Sequence, residues 1–260
     1  MKTLVKWLAR HVLPGSLRRW AIGTWQGHAY IPPVGFADLG DLRRVTPISR
    51  SFGADRGTPV DRHYIENFLE RQRADVKGRV LEIAEATYTK RFGGARVTQS
   101  EVLHAEAGNP LATLVGDLTT GENLPSDAFD CLILTQTLPM IYDVRAALQT
   151  VYRILKPGGV VLVTVPGVAH QISRQDMDKW GDYWRFTSKS IRRLFEEVFP
   201  ATHVEVAAFG NPLTALALLH GLVVEELTPH ELDHREADYE VSIAVRAVKP
   251  EATLAQSPVE

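Results

Sequence analysis

The chain has a single cysteine among 260 residues, no acidic residue before Asp38 and no apolar run long enough to cross a bilayer. With Cys131 alone, an intramolecular disulfide is excluded. Its place inside the apolar run Phe129–Leu134 predicts a buried, inert thiol and fits a reducing compartment. The most apolar late stretch, Leu213–Val224, falls short of a membrane span, and the N-terminus lacks the apolar core and cleavage site of a signal peptide. From both absences a cytoplasmic protein is expected. A large excess of either charge is missing too, with 29 Lys and Arg against 31 Asp and Glu and a net charge of -2. Phosphate neutralisation needs a basic excess, so a chain devoted to nucleic acid is excluded. The length leaves a globular chain that buries one sizeable core, as one large domain or a domain with an appendage.

What is present is uneven along the chain. Residues 1–25 carry Lys2, Lys6, Arg10, Arg18 and Arg19, interleaved with Leu4, Trp7, Leu8, Leu17, Trp20 and Trp25 on either side of Pro14 and Gly15. Basic residues opposite Trp and Leu suit an interfacial helix in peripheral contact with the inner face of a membrane. A pair of short helices packed on the main domain suits the same pattern. Residues 29–59 are punctuated by Pro32, Pro33, Gly35, Pro47, Gly53, Gly57 and Pro59, yet Ile31, Phe36, Ile48 and Phe52 are spread through them, which reads as an ordered loop. Its end, SFGADRGTPVDR, gathers Asp55, Arg56, Asp61 and Arg62, either at a pocket mouth or in a salt-bridged loop that caps the next helix. Tyr64, Ile65, Phe68 and Leu69 then mark one face of a helix over Val60–Arg73.

From there strands and helices alternate. Apolar runs predict strands over Arg79–Ala84, Arg96–Leu103, Ala112–Val115, Phe129–Thr135 and Val160–Val165, with a last one over Tyr239–Val248. Helical spacing marks Val144–Leu155 and Ser188–Phe199. Such alternation predicts an α/β, doubly wound, mostly parallel sheet whose ligand lies outside the carboxyl ends of the strands. The organising stretch is RVLEIAEATYTKRFGG, in which Val80, Leu81 and Ile83 make a buried strand and Glu82 sits where that strand runs out. Beyond it stand Ala84, Glu85, Ala86, Thr87 and Tyr88, each bearing a Cβ where glycines would let backbone approach a ligand.

The segments FDCLILTQTL, the helix ending LKPGG and the strand VVLVTVPG, in that order and spacing, resemble the class I S-adenosylmethionine-dependent methyltransferases of the type 11-like kind, over roughly Gly78–Lys249. DYWRFTSKSIRRLFEEVF and SFGADRGTPVDRHYIENFL look like a subgroup associated with polysaccharide and cell-envelope biosynthesis. The resemblance implies a Rossmann-like, seven-stranded methyltransferase domain over residues 60–249. Amphipathic helices and an ordered capping loop (1–59) precede it, and a frayed tail (250–260) follows. It also implies S-adenosylmethionine as cofactor. By position, Glu82 would close the first strand near the methionine part, with Ala84, Thr87 and Tyr88 in the turn beside it. Glu101 would accept from the ribose hydroxyls, Asp117 would face the adenine amino group with Leu118 along the ring, and Gln136 would lie near the transferred methyl. Carboxylates fit because hydroxyls and an exocyclic amine donate while an ionised carboxylate only accepts. Each of these acids also reads as a helix cap or a surface acid.

The implied reaction is methyl transfer to oxygen on a sugar or polysaccharide-linked acceptor. An in-line displacement takes most of its rate from alignment in a dry site, and a hydroxyl acceptor gains from a base. The catalytic candidates follow the fifth strand: His170, Asp178 and Asp182. Histidine is the side chain that titrates near neutral pH, although a surface histidine reads the same way. The substrate-binding candidates are Arg56, Tyr142, Trp180, Tyr183, Trp184 and Arg185. Asp178 with Asp182, and Trp180 with Trp184, are each spaced i, i+4 and share a face if the stretch is helical. An aromatic pair beside carboxylates suits a carbohydrate or lipid-linked acceptor, or packs under the loop. Two carboxylates alone do not specify a metal site, and none is expected. Two other readings stay open: a methyltransferase-like scaffold in glycan assembly that no longer catalyses, and a methyltransferase of natural-product small molecules. The partner expected is a small-molecule or glycan substrate, with the oligomeric state open.

Overall fold

A computed structural model of the chain describes residues 40–170 and 180–251. The expectations for residues 1–25, for Asp178 and for most of the tail lie outside the described residues. The chain divides into a unit over residues 1–46, of which the short turn Gly40–Leu42 and the four residues after it are described, and a unit over residues 47–260 that holds the sheet.

Seven strands form one sheet. β1 (Gly78–Ile83), β2 (Val97–His104), β3 (Leu114–Val115), β4 (Phe129–Thr135) and β5 (Leu155–Pro166) run parallel. β7 (Ser242–Val248) lies antiparallel between β5 and β6 (Val204–Phe209), so the order is β3-β2-β1-β4-β5-β7-β6. The order turns back between β1 and β4, which opens a crevice above their carboxyl ends. Runs such as Val160–Val165 suit the sheet centre because both faces of those strands are covered.

Successive strand residues point to opposite faces, and each face has its own apolar layer. On one, α2 (Val144–Ile154) and α3 (Ser188–Glu196) bring Leu148, Val151, Ile191 and Phe195 onto Leu132, Leu134, Val161, Val163 and Val245. On the other, α1 (Val60–Arg71) and α4 (Pro212–His220) bring Tyr64, Ile65, Leu69 and Leu218 onto Val80, Ile133, Leu162 and Ala244. Burying a ring such as Phe129 or Phe195 completely stabilises by roughly 1.5–3 kcal/mol. Asp143 starts α2 by accepting from the Ala146 N–H at 3.0 Å, and Thr187 starts α3 in a reciprocal cap with Ser190. Cys131 is wholly enclosed, and burial pushes its thiol pKa far up.

Several boundaries differ from the sequence reading. β5 begins at Leu155 directly after α2, so the LKPGG segment belongs to the strand, with a shift in register between the Phe129–Leu155 and Cys131–Val160 pairs. The apolar run Leu213–Val224 holds α4, with Asn211 as cap, Pro212 opening the helix and Gly221 ending it at φ 72°. The sequence reading places no element over β6, whose outer position leaves Glu205 exposed and Val206, Ala207 and Ala208 only partly covered. No helix among the described residues is long and apolar enough to cross a membrane.

Candidate active site

A cavity of about 800 Å³ opens at the carboxyl ends of β1 to β4, within the span of roughly 300–1,000 Å³ that encloses small organic ligands. Ile83 and Ala84 supply its β1 side, Leu103, His104 and Glu106 its β2 side, and Asp117 and Leu118 follow β3 into it. Thr137, Met140 and Ile141 line it after β4. Gly116 delivers Asp117 there, since a Cβ on Gly116 would lie 2.8 Å from the Glu122 carbonyl oxygen. Asp117 is exposed, and its Oδ1 accepts from the Thr119 N–H at 2.7 Å, which fixes the carboxylate at the rim.

The turn after β1 works without glycine. Ala84 takes a left-handed φ of 68°, held by its N–H on the Leu103 carbonyl at 3.0 Å and by Asn109 Nδ2 on its own carbonyl at 2.9 Å. Glu82 turns away from the cavity. It is 3% exposed and accepts the backbone N–H of Tyr88 at 3.1 Å and of Thr89 at 2.7 Å. Burial holds its carboxyl above the usual range, against the pull of those donors. Thr87 is exposed and outside the cavity lining, and the ring of Tyr88 is buried, with its phenol oxygen accepting from Arg62 Nη1 at 2.6 Å.

Glu101 also stays out of the cavity. It faces Leu81 in mid-strand, because β2 runs on to His104, and it pairs with Arg79 at 3.0 Å and with Gln99 and Thr113. Burial raises its carboxyl pKa, but the bonds from Thr113, Arg79 and Gln99, together with the Arg79 charge, outweigh that and leave it lowered. The acid standing where β2 runs out into the cavity is Glu106. Its place two residues after the end of β2 was its signal in the sequence. Gln136 takes a φ of 53° after β4, its N–H on the Thr164 carbonyl at 2.9 Å and its Oε1 enclosed without a hydrogen-bond partner.

Aromatic rings crowd the mouth. Tyr142, Trp180 and Tyr183 all line the cavity, and Tyr142 is 70% exposed. Tyr142 stacks on Trp184 at 5.9 Å and meets Tyr183 edge-on at 5.3 Å, while Trp180 meets His104 edge-on at 5.2 Å. Trp184 Nε1 donates to the Ile141 carbonyl at 3.0 Å, which ties the mouth to the loop after β4. Arg185 and Asp182 have a different task. Asp182, 1% exposed in its side chain, forms a two-point ion pair with Arg185 at 2.6 and 3.1 Å, and Arg185 also donates to the carbonyls of Ala169 and His170. His170 lies flat on Phe52 with ring centroids 3.7 Å apart. Arg56 pairs with Glu226 and the Gly221 carbonyl, far along the chain, and no side chain of its loop caps α1. Among the described residues no cluster of His, Cys, Asp and Glu could hold a metal ion.

The lining suits a nucleoside: Leu118, Met140 and Ile141 offer apolar contact, and the carboxylates of Asp117 and Glu106 accept from hydroxyls and an amine. A family model described as a methyltransferase domain matches residues 52–206, more than half of the chain. No curated protein sequence matches it. Phosphoethanolamine N-methyltransferase 2 of Haemonchus contortus, solved with S-adenosyl-L-methionine, is similar at a TM-score of 0.50 and 16% identity, over 73% of this chain and 53% of that one. The chain therefore spans about half the length of that enzyme. The N-methyltransferase NodS of Bradyrhizobium japonicum WM9, solved with S-adenosyl-L-homocysteine, matches at a TM-score of 0.47 and 13% identity, over 78% of this chain and 97% of its own. The YcgJ protein of Bacillus subtilis matches at 0.45 and 14%, over 74% and 100%. At such identities the likeness is one of fold.

Proposed function

The chain belongs to the methyltransferase-domain family, and from that premise we propose that it moves the methyl group of S-adenosylmethionine to a hydroxyl oxygen of a sugar or glycan-linked acceptor. When bound, S-adenosylmethionine supplies a methyl group on a positively charged sulfur, open to displacement by a nucleophile. Asp117 and Glu106 would take the donors of its nucleoside, with Leu118 against the base.

The observation that carries the acceptor assignment is the aromatic mouth. Tyr142, Tyr183 and Trp184 are each more than a third exposed and present flat apolar faces beside hydroxyl groups, a surface that fits the apolar face of a sugar ring and excludes water from it. His170 is the group for the acceptor proton, its ring set by Phe52 and its backbone pinned by Arg185. Asp182 acts through Arg185 as a positioning residue, since its carboxylate is enclosed in that ion pair. A lipid-linked glycan would bring the acceptor to a membrane surface, the role for which the basic, Trp-bearing residues 1–25 are suited.

Labelled methyl transfer tests the assignment. The protein is incubated with methyl-labelled S-adenosylmethionine and two panels, hydroxylated glycans and primary amines. Label on glycan oxygen supports the proposal, and label on amine nitrogen alone overturns it. The rival reading, a scaffold that no longer catalyses, has the glycine-less turn in its favour. Calorimetry decides between them, since a scaffold binds neither S-adenosylmethionine nor S-adenosylhomocysteine.

A further inference from the structure

Asp61 and Arg62 stand in the first turn of α1, and neither lines the cavity described above. They adjoin the far end of the glycine-less turn, which begins with Ala84 in the cavity wall and ends with Tyr88 bonded to Arg62. The Oδ1 of Asp61 is enclosed and has no hydrogen-bond partner. Burial pushes the Asp61 carboxyl pKa up, and the charge of Arg62, the backbone N–H groups of Arg62 and of Asp61 itself and, last, the charge of His170 pull it back. Arg62 is half-buried and carries five N–H donors, of which the Tyr88 oxygen takes one at 2.6 Å. Asp61, Tyr88 and Glu66 are the groups whose charges face it, and Glu66 is engaged by Arg91 at 2.8 Å. An acid with one enclosed, unpartnered acceptor oxygen therefore lies beside a half-buried guanidinium. Such groups are costly to bury unless something satisfies them.

The same turn poses a complementary difficulty. Ala84, Glu85, Ala86 and Thr87 each carry a Cβ, so backbone N–H groups cannot close on a ligand as a glycine-rich turn allows. The cofactor read for this site ends in an amino acid with one ammonium and one carboxylate. We propose that Asp61 and Arg62 form the receptor for that zwitterionic end, Asp61 accepting from the ammonium and Arg62 donating to the carboxylate, with Tyr88 holding the guanidinium in place. The assignment rests on the S-adenosylmethionine reading above. It gives the missing glycines a substitute from the segment that precedes the sheet, and it gives an enclosed acceptor oxygen and the guanidinium beside it a common partner.

Two ligands separate this assignment from the reading beneath it. S-adenosylhomocysteine carries the amino-acid end, whereas 5′-methylthioadenosine shares its nucleoside and sulfur without that end. Calorimetry on the full chain should show tighter binding of the first. Arg62→Gln and Asp61→Asn should each weaken S-adenosylhomocysteine by roughly 10- to 100-fold, the worth of a charge-assisted hydrogen bond, and leave 5′-methylthioadenosine within about twofold. Tyr88→Phe should weaken the homocysteine ligand by roughly threefold, and Arg62→Lys should fall between wild type and Arg62→Gln. Retained 5′-methylthioadenosine binding reports that each variant is folded. Unchanged S-adenosylhomocysteine affinity in both charge variants, or equal losses for the two ligands, overturns the assignment alone. If the wild type binds neither ligand, the cofactor reading falls and takes the assignment with it.

Discussion

Glu82 and Asp117 are both acids at or just beyond the carboxyl end of a parallel strand, and they have opposite surroundings. Glu82 points to the α1 side, where Thr164 and Ser242 are likewise buried, and it is spent on two backbone N–H groups of the following turn. Asp117 stands exposed on the cavity wall, with Leu118 and the aromatic mouth around it. Position along a strand therefore does not assign an acid its task. What the carboxylate oxygens already hold does, because both oxygens of Glu82 are spent as a brace for the backbone while Asp117 faces the cavity.

That contrast can be broken by experiment. The largest effect is expected from Glu82→Ala, which leaves two buried backbone N–H groups unsatisfied and should cost about 2–4 kcal/mol in urea unfolding. A cost under about 0.5 kcal/mol would mean that Glu82 is no brace. Next, Asp117→Asn should keep stability within about 0.5 kcal/mol while weakening 5′-methylthioadenosine roughly tenfold in calorimetry. Tyr142→Ala should likewise leave stability alone, because the ring is exposed, and should raise the acceptor KM about fivefold with kcat little changed. The smallest effect belongs to Ala84→Gly. Relief of the left-handed φ is partly offset by the freedom glycine has when unfolded, so a gain of at most about 1 kcal/mol is expected in the same unfolding assay.

The pH dependence of stability sharpens the comparison further. The folded pKa of Glu82 is raised, so its contribution is fully present below the ordinary carboxyl value of 4.5 and is lost as pH rises through the raised value. Glu101 has a lowered folded pKa, so its contribution is present above 4.5 and is lost as pH falls through the lowered value. Unfolding midpoints followed across pH should therefore lose their decline on the alkaline side of 4.5 in Glu82→Gln and part of their acid-side decline in Glu101→Gln. Identical profiles for the two variants would contradict the burial argument.

Much of the sheet was legible because parallel strands covered on both faces read as continuous apolar runs, and FDCLILT and VVLVTV are such runs. β6 was not, since an outer strand has too few buried positions to stand out from its surroundings. At the site, Asp117, Leu118, Tyr142, Trp180 and Tyr183 were all named from the sequence and do meet in one cavity. Glu101 and Glu82 were placed there as well, and local text could not show otherwise. The partners that occupy Glu101 include Arg79 from the neighbouring strand, and the orientation of Glu82 depends on how the next turn folds back. Arg62 was visible as a charged loop residue, but its bond to Tyr88 spans 26 positions and no local pattern encodes it.

The two outer margins of the sheet are unequal in length but alike in what they deny a neighbour. β3 is two residues long, and β6, though longer, carries an exposed Glu205 that is tied to Arg246 on β7, while Arg192 of α3 occupies the Val204 carbonyl. Free backbone along a rim is what templates fibre growth and strand exchange between copies. With one rim only two residues long and the other marked by a paired charge, concentrated solutions of this protein should stay clear of cross-β assembly.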